Sequence, residues 1–184
     1  MNRKTQLAVL GGVLFLFFAA YFASPLLAVR GLISAAKAGD EAKLEQFVDF
    51  PAFRTSLKEE LNAKLVEEMR ADLGDRAGGL GGLGMILAPT LISGAVDAFV
   101  TPPAVAAMVR SGEVPNAKSV ARNRARIPDE PSSKVHQGYS YRGLNTFAIR
   151  LTREDHPDDY VDLLLERRSV FFWKLAAIDL PRKR

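Results

Sequence analysis

Asp97 is the residue whose surroundings best fit a catalytic acid or base. It is the only charged residue in the otherwise apolar stretch from Met85 to Val100. A buried carboxyl group loses hydration, which favours its neutral form and suits it to exchange protons with a substrate. We therefore consider a pocket enzyme of hydrolase or isomerase type that uses Asp97, against an ordinary aspartate at a helix end or paired with an arginine.

The two histidines, His136 and His156, do not form a metal-binding pattern. Neither has a second ligand at the spacing that zinc sites use, so both are expected at the surface. Four acidic residues crowd one turn, but their spacing is not that of a calcium loop; they are Glu154, Asp155, Asp158 and Asp159. We expect no metal and no cofactor.

The glycine-rich segment from Gly78 to Gly84 resembles a phosphate-binding loop only in composition. No strand precedes it and no Gly-Lys-Ser/Thr follows it, so a nucleotide site is not predicted. We interpret it as a flexible loop that leads into a buried helix with bends at Pro89 and Gly94. The alternative is that residues 78–100 touch a membrane or gate a ligand.

Aromatic residues in the last third of the chain are candidates for lining a ligand pocket. They are Tyr139, Tyr141, Phe147 and Trp173. A pocket of this kind binds an apolar ligand. Aromatic side chains in alternating strands are more often part of the core, so both interpretations are kept.

The elements that position these residues begin with helices. Gly39 fits the end of one helix, and Asp40 fits the N-cap of a short helix from Glu41 to Val48. Pro51 suits the first turn of a further helix that runs to about Leu73. Apolar residues recur along that helix at spacings of four, which predicts one buried face; they are Phe53, Leu57, Leu61, Leu65 and Met69.

Strand patterns follow a polar stretch, residues 113–134, that is interpreted as a loop or linker. Its arginines, Arg122, Arg124 and Arg126, predict a solvated basic loop or contact with anionic lipid headgroups. Alternation of apolar and polar residues over 135–181 predicts an antiparallel sheet of about three to four strands with a bulge in the last strand. We therefore predict an α+β fold, in which several helices pack on a C-terminal sheet.

The N-terminal residues predict a membrane anchor over 1–29. Arg3 and Lys4 precede an uncharged run from Leu7 to Ala23, and Pro25 to Val29 extend that run toward the length of a membrane span. The residues taken to face lipid are Leu7, Leu10, Leu14, Phe15, Phe18 and Tyr21. A signal peptide cleaved before Ser24 is the alternative, although Tyr21 stands where a small residue is needed.

The remaining chain, 30–184, is the size of one domain, with a helical part at 30–112. Similar positive charge on both flanks of the anchor decides its orientation only weakly. A short basic tail before a large domain favours a cytoplasmic N-terminus in the inner membrane and a periplasmic domain. Apart from Arg3 and Lys4, the chain has 23 basic and 21 acidic residues, so its net charge is small and nucleic acid is not an expected partner. The chain has no cysteine, which excludes disulfides and a lipoprotein anchor.

Several short motifs resemble a bacterial membrane-anchored family called domain of unknown function 2939. They are Ala35 to Asp40, Val48 to Pro51 with Arg54 to Leu57 beyond it, Phe172 to Leu175 and Ile178 to Pro181. The resemblance implies no activity and no functional residues. The order of helices and curved sheet is also similar to the nuclear-transport-factor-2-like (cystatin-like) cone folds, which enclose a pocket, and a fold alone does not assign a function.

Three functional hypotheses follow. The first is a non-catalytic, single-pass membrane-anchored envelope protein that binds an apolar ligand or an envelope protein. The second is the pocket enzyme that uses Asp97, and the third is a structural role at the membrane surface with residues 85–100 against lipid.

The alternation of buried and exposed residues in the strands makes a prediction of its own. Phe147→Asp and Trp173→Asp are predicted to unfold the domain, whereas Arg150→Asp is not.

Overall fold

The computed structural model describes residues 3–73, 80–105, 135–154 and 160–181. Four helices precede a four-stranded antiparallel sheet, which confirms the predicted α+β fold. The helices are α1 (Arg3–Ala38), α2 (Glu41–Phe47), α3 (Phe50–Leu73) and α4 (Leu80–Phe99). The strands are β1 (Val135–Tyr141), β2 (Thr146–Arg153), β3 (Tyr160–Arg167) and β4 (Trp173–Asp179).

Helix α1 continues without a break from the apolar run into the domain. The boundary predicted between anchor and domain, after residue 29, lies inside this helix. The buried residues of the helix begin before that boundary, at Ser24 and Pro25. Pro25 stands within the helix, where it removes one backbone hydrogen bond. The same helix therefore supplies both the exposed apolar segment and part of the domain core.

The turn from α1 to α2 has the predicted chemistry. Gly39 adopts a φ of 68°, a left-handed conformation that glycine accepts without strain. Asp40 caps α2 by accepting a hydrogen bond from the backbone N–H of Lys43 at 3.0 Å. The turn brings α2 so close to α1 that the ring of Phe47 lies where a Cβ on Gly31 would stand.

The sheet is a meander in the order β1-β2-β3-β4. A register shift at Leu164/Leu165 places Ala176 between the partners of those residues, which confirms the predicted bulge in the last strand. Beside this strand, Val48 forms a parallel bridge with Leu175, and the N–H of Asp49 donates to the Leu175 carbonyl at 2.8 Å. The segment between α2 and α3 is thus tied to the edge of the sheet.

Two hydrophobic clusters form the core, and α1 contributes to both. The cluster nearer the apolar run joins α1 to the sheet and contains Ala28, Val29, Phe147, Ile149, Leu165 and Trp173. The second joins the end of α1 to the other helices and includes Leu32, Leu44, Phe50, Val96 and Leu175. The predicted apolar face of α3 packs on this second cluster through Phe53, Leu57 and Leu61.

The segment predicted as a glycine-rich flexible loop is partly helical, since α4 begins at Leu80 and includes Gly81, Gly82 and Gly84. The low helix propensity of these glycines is therefore outweighed by the apolar helix-forming residues beside them in α4. Of the helix residues whose side chains are described, Val96 is buried, whereas Leu91 and Phe99 are exposed. The expectation of a buried helix is thus correct for one face only.

Candidate functional site

Among the described residues, Asp97 lies at the surface and lines neither of two clefts described below. Its carboxylate forms an ion pair with Lys58 of α3 at 2.7 Å, and its side chain is 55% exposed. The pair joins α3 to α4 at the protein surface. The desolvation on which the catalytic hypothesis depends is absent, and surface pairs of this kind contribute little to stability.

The four candidate pocket aromatics lie together, but they pack ring against ring. The ring centroid of Tyr141 lies 5.0 Å from that of Phe147 and 6.2 Å from that of Trp173. The ring of Tyr139 stacks on that of Phe147 at a centroid distance of 6.4 Å. Phe147 and Trp173 are buried, and the two tyrosines are partly exposed above them. Their arrangement is that of a packed aromatic cluster.

Two surface clefts lie elsewhere in the described part of the chain. One lies between α3 and the end of β4 and is lined by residues that include Glu60, Lys64, Leu180 and Pro181. The other lies on α1 beside Arg30, Ile33 and Lys37. Neither includes Asp97 or the aromatic cluster.

No group of metal-ligating residues is found within residues 3–73, 80–105, 135–154 and 160–181. His136 is on β1 and exposed, as expected. His156, the acidic residues Asp155, Asp158 and Asp159, and the arginines of the 113–134 loop lie outside the described residues.

A polar network links α1 to the sheet. We call it the junction, and it consists of Tyr21, Phe22 and Ser24 of α1 with Tyr141, Arg167 and Trp173 of the sheet. The Trp173 Nε1–H donates to the Ser24 hydroxyl at 2.8 Å, and that hydroxyl donates to the Tyr21 carbonyl at 2.7 Å. The Tyr141 hydroxyl donates to the Phe22 carbonyl at 2.8 Å, and burial raises the pKa of Tyr141. These bonds fix α1 against the sheet in one rotation and one register.

Arg167 lies at the centre of the junction. Its guanidinium stacks over the ring of Tyr21 at 3.8 Å and over Trp173 at 4.1 Å, which is cation–π geometry. The same group donates to the carbonyls of Leu144 and Val170, one in each hairpin loop at this end of the sheet. Arg167 therefore holds both loops and α1 together.

Asp162 forms a second network on the opposite face of the sheet, and its side chain is fully buried. Arg150, its cross-strand partner, donates to both carboxylate oxygens at 2.8 and 2.7 Å, and Arg142 donates to one of them. The hydrogen bond from Arg150 is the main reason that the pKa of Asp162 lies below its usual range.

Sequence reasoning missed both networks, although the second has a signal in the sequence. Asp162 interrupts a strand that is otherwise apolar at its centre, and Arg150 lies on the polar face of the preceding strand. Their pairing depends on register, which no single strand reveals. Arg150 is thus the partner of a buried carboxylate, so the expectation that Arg150→Asp is tolerated no longer holds.

The exposed part of α1 is apolar. Leu7, Leu10, Leu14, Phe15 and Phe18 are exposed, whereas Tyr21 is partly covered by the junction. Among the described residues, α1 is the one helix long and apolar enough to cross a membrane, a criterion that core helices and signal sequences also meet.

Fold and junction together define a class of protein: an α+β domain built onto an N-terminal apolar helix. A family model described as "Protein of unknown function (DUF2939)" matches residues 14–108. The chain belongs to this family. Comparison with curated proteins and with solved structures gave no match, so the likeness to the cone folds stays a prediction.

The family match covers much of α1 and all of α2 to α4 and ends before the sheet. Two of the motifs that carry the resemblance, Ala35 to Asp40 and Val48 to Pro51, lie inside it. The other two, Phe172 to Leu175 and Ile178 to Pro181, lie outside it.

Proposed function

We propose that the chain is a single-pass membrane-anchored envelope protein whose domain binds a partner protein and is not an enzyme. The observation that carries the proposal is the double use of α1. Its first part exposes apolar side chains such as Leu10 and Leu14, and its later part supplies Ala28 and Leu32 to the core. A domain built in this way is held close to the membrane that its helix spans.

The junction supports an anchor that is retained rather than a signal peptide that is removed. Cleavage before Ser24 would separate Tyr21 and Phe22 from Arg167 and Tyr141, which they contact in the junction. The proposed location is the inner membrane, with the N-terminus in the cytoplasm and the domain in the periplasm.

Three measurements on the full chain test the anchor. Carbonate washing should leave the protein in the membrane fraction, and its intact mass should include residues before Ser24. Alkaline phosphatase fused after residue 184 should be active, because that enzyme matures only in the periplasm. Release by carbonate, a mass that starts at Ser24, or an inactive fusion would each refute the corresponding part of the proposal.

A binding role is favoured over catalysis because Asp97 is exposed and ion-paired. A partner protein is favoured over an apolar ligand because the aromatic cluster fills its own interior. The exposed apolar side chains of α4, Leu91 and Phe99, provide a surface for such a partner.

Photocrosslinking in intact cells tests the partner. A photoreactive residue at Leu91 should give a discrete crosslinked protein band, whereas the same residue at the exposed, charged position Glu59 of α3 should not. Crosslinks from Leu91 to lipid alone would instead favour the structural role at the membrane surface. Crosslinks to neither would refute a binding role for α4.

A further inference from the structure

The loops that join β1 to β2 and β3 to β4 lie at the end of the sheet that faces the exposed part of α1. We call them the tip loops, Arg142–Asn145 and Arg168–Phe172. They expose four large apolar side chains, Leu144, Val170, Phe171 and Phe172. Phe171 contacts Phe17 of α1 at a ring-centroid distance of 5.5 Å, so the apolar surface of the tip loops is continuous with that of the helix.

The length of α1 determines where a bilayer would meet this surface. A hydrocarbon core about 30 Å thick needs about 20 helical residues. Arg3 and Lys4 are charged and stay at the far surface, so 20 residues counted from Thr5 end at Ser24. From Lys4 to Phe17 the helix rises only about 20 Å, which is too short for a span on its own.

The contacts between α1 and the sheet begin before that span is complete. Phe17 and Tyr21 touch the domain, and Phe17 lies about 10 Å below Ser24 along the helix axis. We propose that the tip loops enter the outer part of the bilayer beside α1, with the side chains of Leu144, Phe171 and Phe172 at the boundary between headgroups and acyl chains. This inference rests on the proposed membrane anchor.

The charges around the tip loops indicate that acyl chains, rather than anionic headgroups, are what these loops recognise. Arg142 is paired with Asp162, and Arg168 is paired with Asp49 at 2.8 Å and with Glu166 at 3.2 Å. Arg167 is covered by the rings of Tyr21 and Trp173. Each arginine that borders the apolar side chains therefore has a partner within the protein, and insertion should not depend on lipid charge.

Depth-dependent fluorescence quenching of the full chain in phosphatidylcholine nanodiscs tests the inference. The chain has no cysteine, so single-cysteine variants take one environment-sensitive dye each. The test positions are Leu144→Cys and Phe171→Cys. Leu10→Cys, in the exposed apolar part of α1, reports on the anchor, and Glu154→Cys, after β2 at the opposite end of the sheet, is the matched aqueous control.

We expect bromine atoms on the acyl chains to quench the dyes at Leu10, Leu144 and Phe171, and aqueous iodide to quench only the dye at Glu154. Added phosphatidylglycerol should change none of these values. The emission of Trp173, the single tryptophan, checks that each variant is folded, because its side chain is fully buried.

The contradicting results are distinguishable. Acyl quenching at Leu10 with iodide quenching at Leu144 and Phe171 would overturn the insertion of the tip loops and leave the anchor intact. Iodide quenching at Leu10 would overturn the anchor itself. Quenching at Leu144 that requires phosphatidylglycerol would overturn the assignment to acyl chains.

Discussion

At the scale of single residues, Asp162 is the one charged residue that is buried among the described residues. Asp162→Asn leaves Arg150 and Arg142 without the buried carboxylate that they share. Breaking a buried pair costs about 3 to 5 kcal/mol, and the partial exposure of both arginines lowers this to about 1 to 3 kcal/mol. Urea unfolding in detergent micelles measures the change. Asp97→Asn, which breaks the exposed pair with Lys58, is the control and should stay within about 0.5 kcal/mol.

Asp162 also predicts how stability depends on pH. Its pKa in the folded protein is lowered, chiefly by the hydrogen bond from Arg150, whereas in the unfolded chain the pKa is about 3.9. Unfolding between these two values takes up a proton, so the stabilisation is complete above the unfolded pKa and is lost as the pH falls toward the folded one. The free energy of unfolding should therefore decrease below about pH 5 less steeply in Asp162→Asn than in the natural chain. Equal slopes would contradict the assignment.

Sequence patterns identify candidate residues by their isolation, which favours Asp97 over Asp162. Asp97 is the only charge in an apolar run, yet the helical hairpin of α3 and α4 brings Lys58 to it across 39 positions of sequence. Asp162 has apolar neighbours too, but strand register decides its partner. The chemistry of a charged residue depends on what lies opposite, which one sequence does not contain.

At the scale of elements, substitution by alanine should have opposite effects at two helical glycines. Gly31 of α1 faces α2 closely, whereas Gly94 of α4 faces open space. A Cβ on Gly31 would overlap the Phe47 ring, whereas nothing lies within 4 Å of a Cβ on Gly94. Gly31→Ala should lower the free energy of unfolding by up to about 2 kcal/mol, because overpacking outweighs the gain of about 1 kcal/mol from a better helix former. Gly94→Ala should raise it by up to about 1 kcal/mol, because alanine favours the helix. Thermal denaturation measures both, and a stabilised Gly31→Ala would refute the packing of α1 on α2.

The burial of Leu165 in the sheet and the exposure of Leu91 on α4 predict a second contrast. Leu165 of β3 is 1% exposed and Leu91 of α4 is 71% exposed. Leu165→Ala should cost about 2 to 5 kcal/mol, because it removes buried methyl groups and leaves a cavity. Leu91→Ala should cost less than about 0.5 kcal/mol. Equal losses in urea unfolding would mean that the assigned faces are wrong.

Local patterns predicted most elements of this fold. Period-two alternation located the strands, and Gly39 with Asp40 located the turn between α1 and α2. The helical start of α4 was not predicted, because glycine propensity opposes it. Neither was the extent of α1 within the core, because an apolar run has the same composition whether lipid or protein covers it.

At the scale of the whole molecule, the anchor and the domain share one helix. Ser24, Ala28 and Val29 pack against the sheet, and the indole N–H of Trp173 donates to the hydroxyl of Ser24. A domain that begins at Arg30, the boundary predicted from the sequence, would lack all three residues. The unfolded state is favoured when a buried donor loses its acceptor and a core loses its apolar cover.

We therefore expect a chain from Arg30 to Arg184 to be unstable and one from Tyr21 to Arg184 to fold, because the second keeps the junction residues of α1. Trp173 reports the difference, since its emission should shift to longer wavelength where water reaches it. The longer chain should also resist limited proteolysis, whereas the shorter one should be degraded. Equal protection of Trp173 in both chains would show that the domain does not depend on α1, and the bilayer position argued from the length of that helix would then lose its basis.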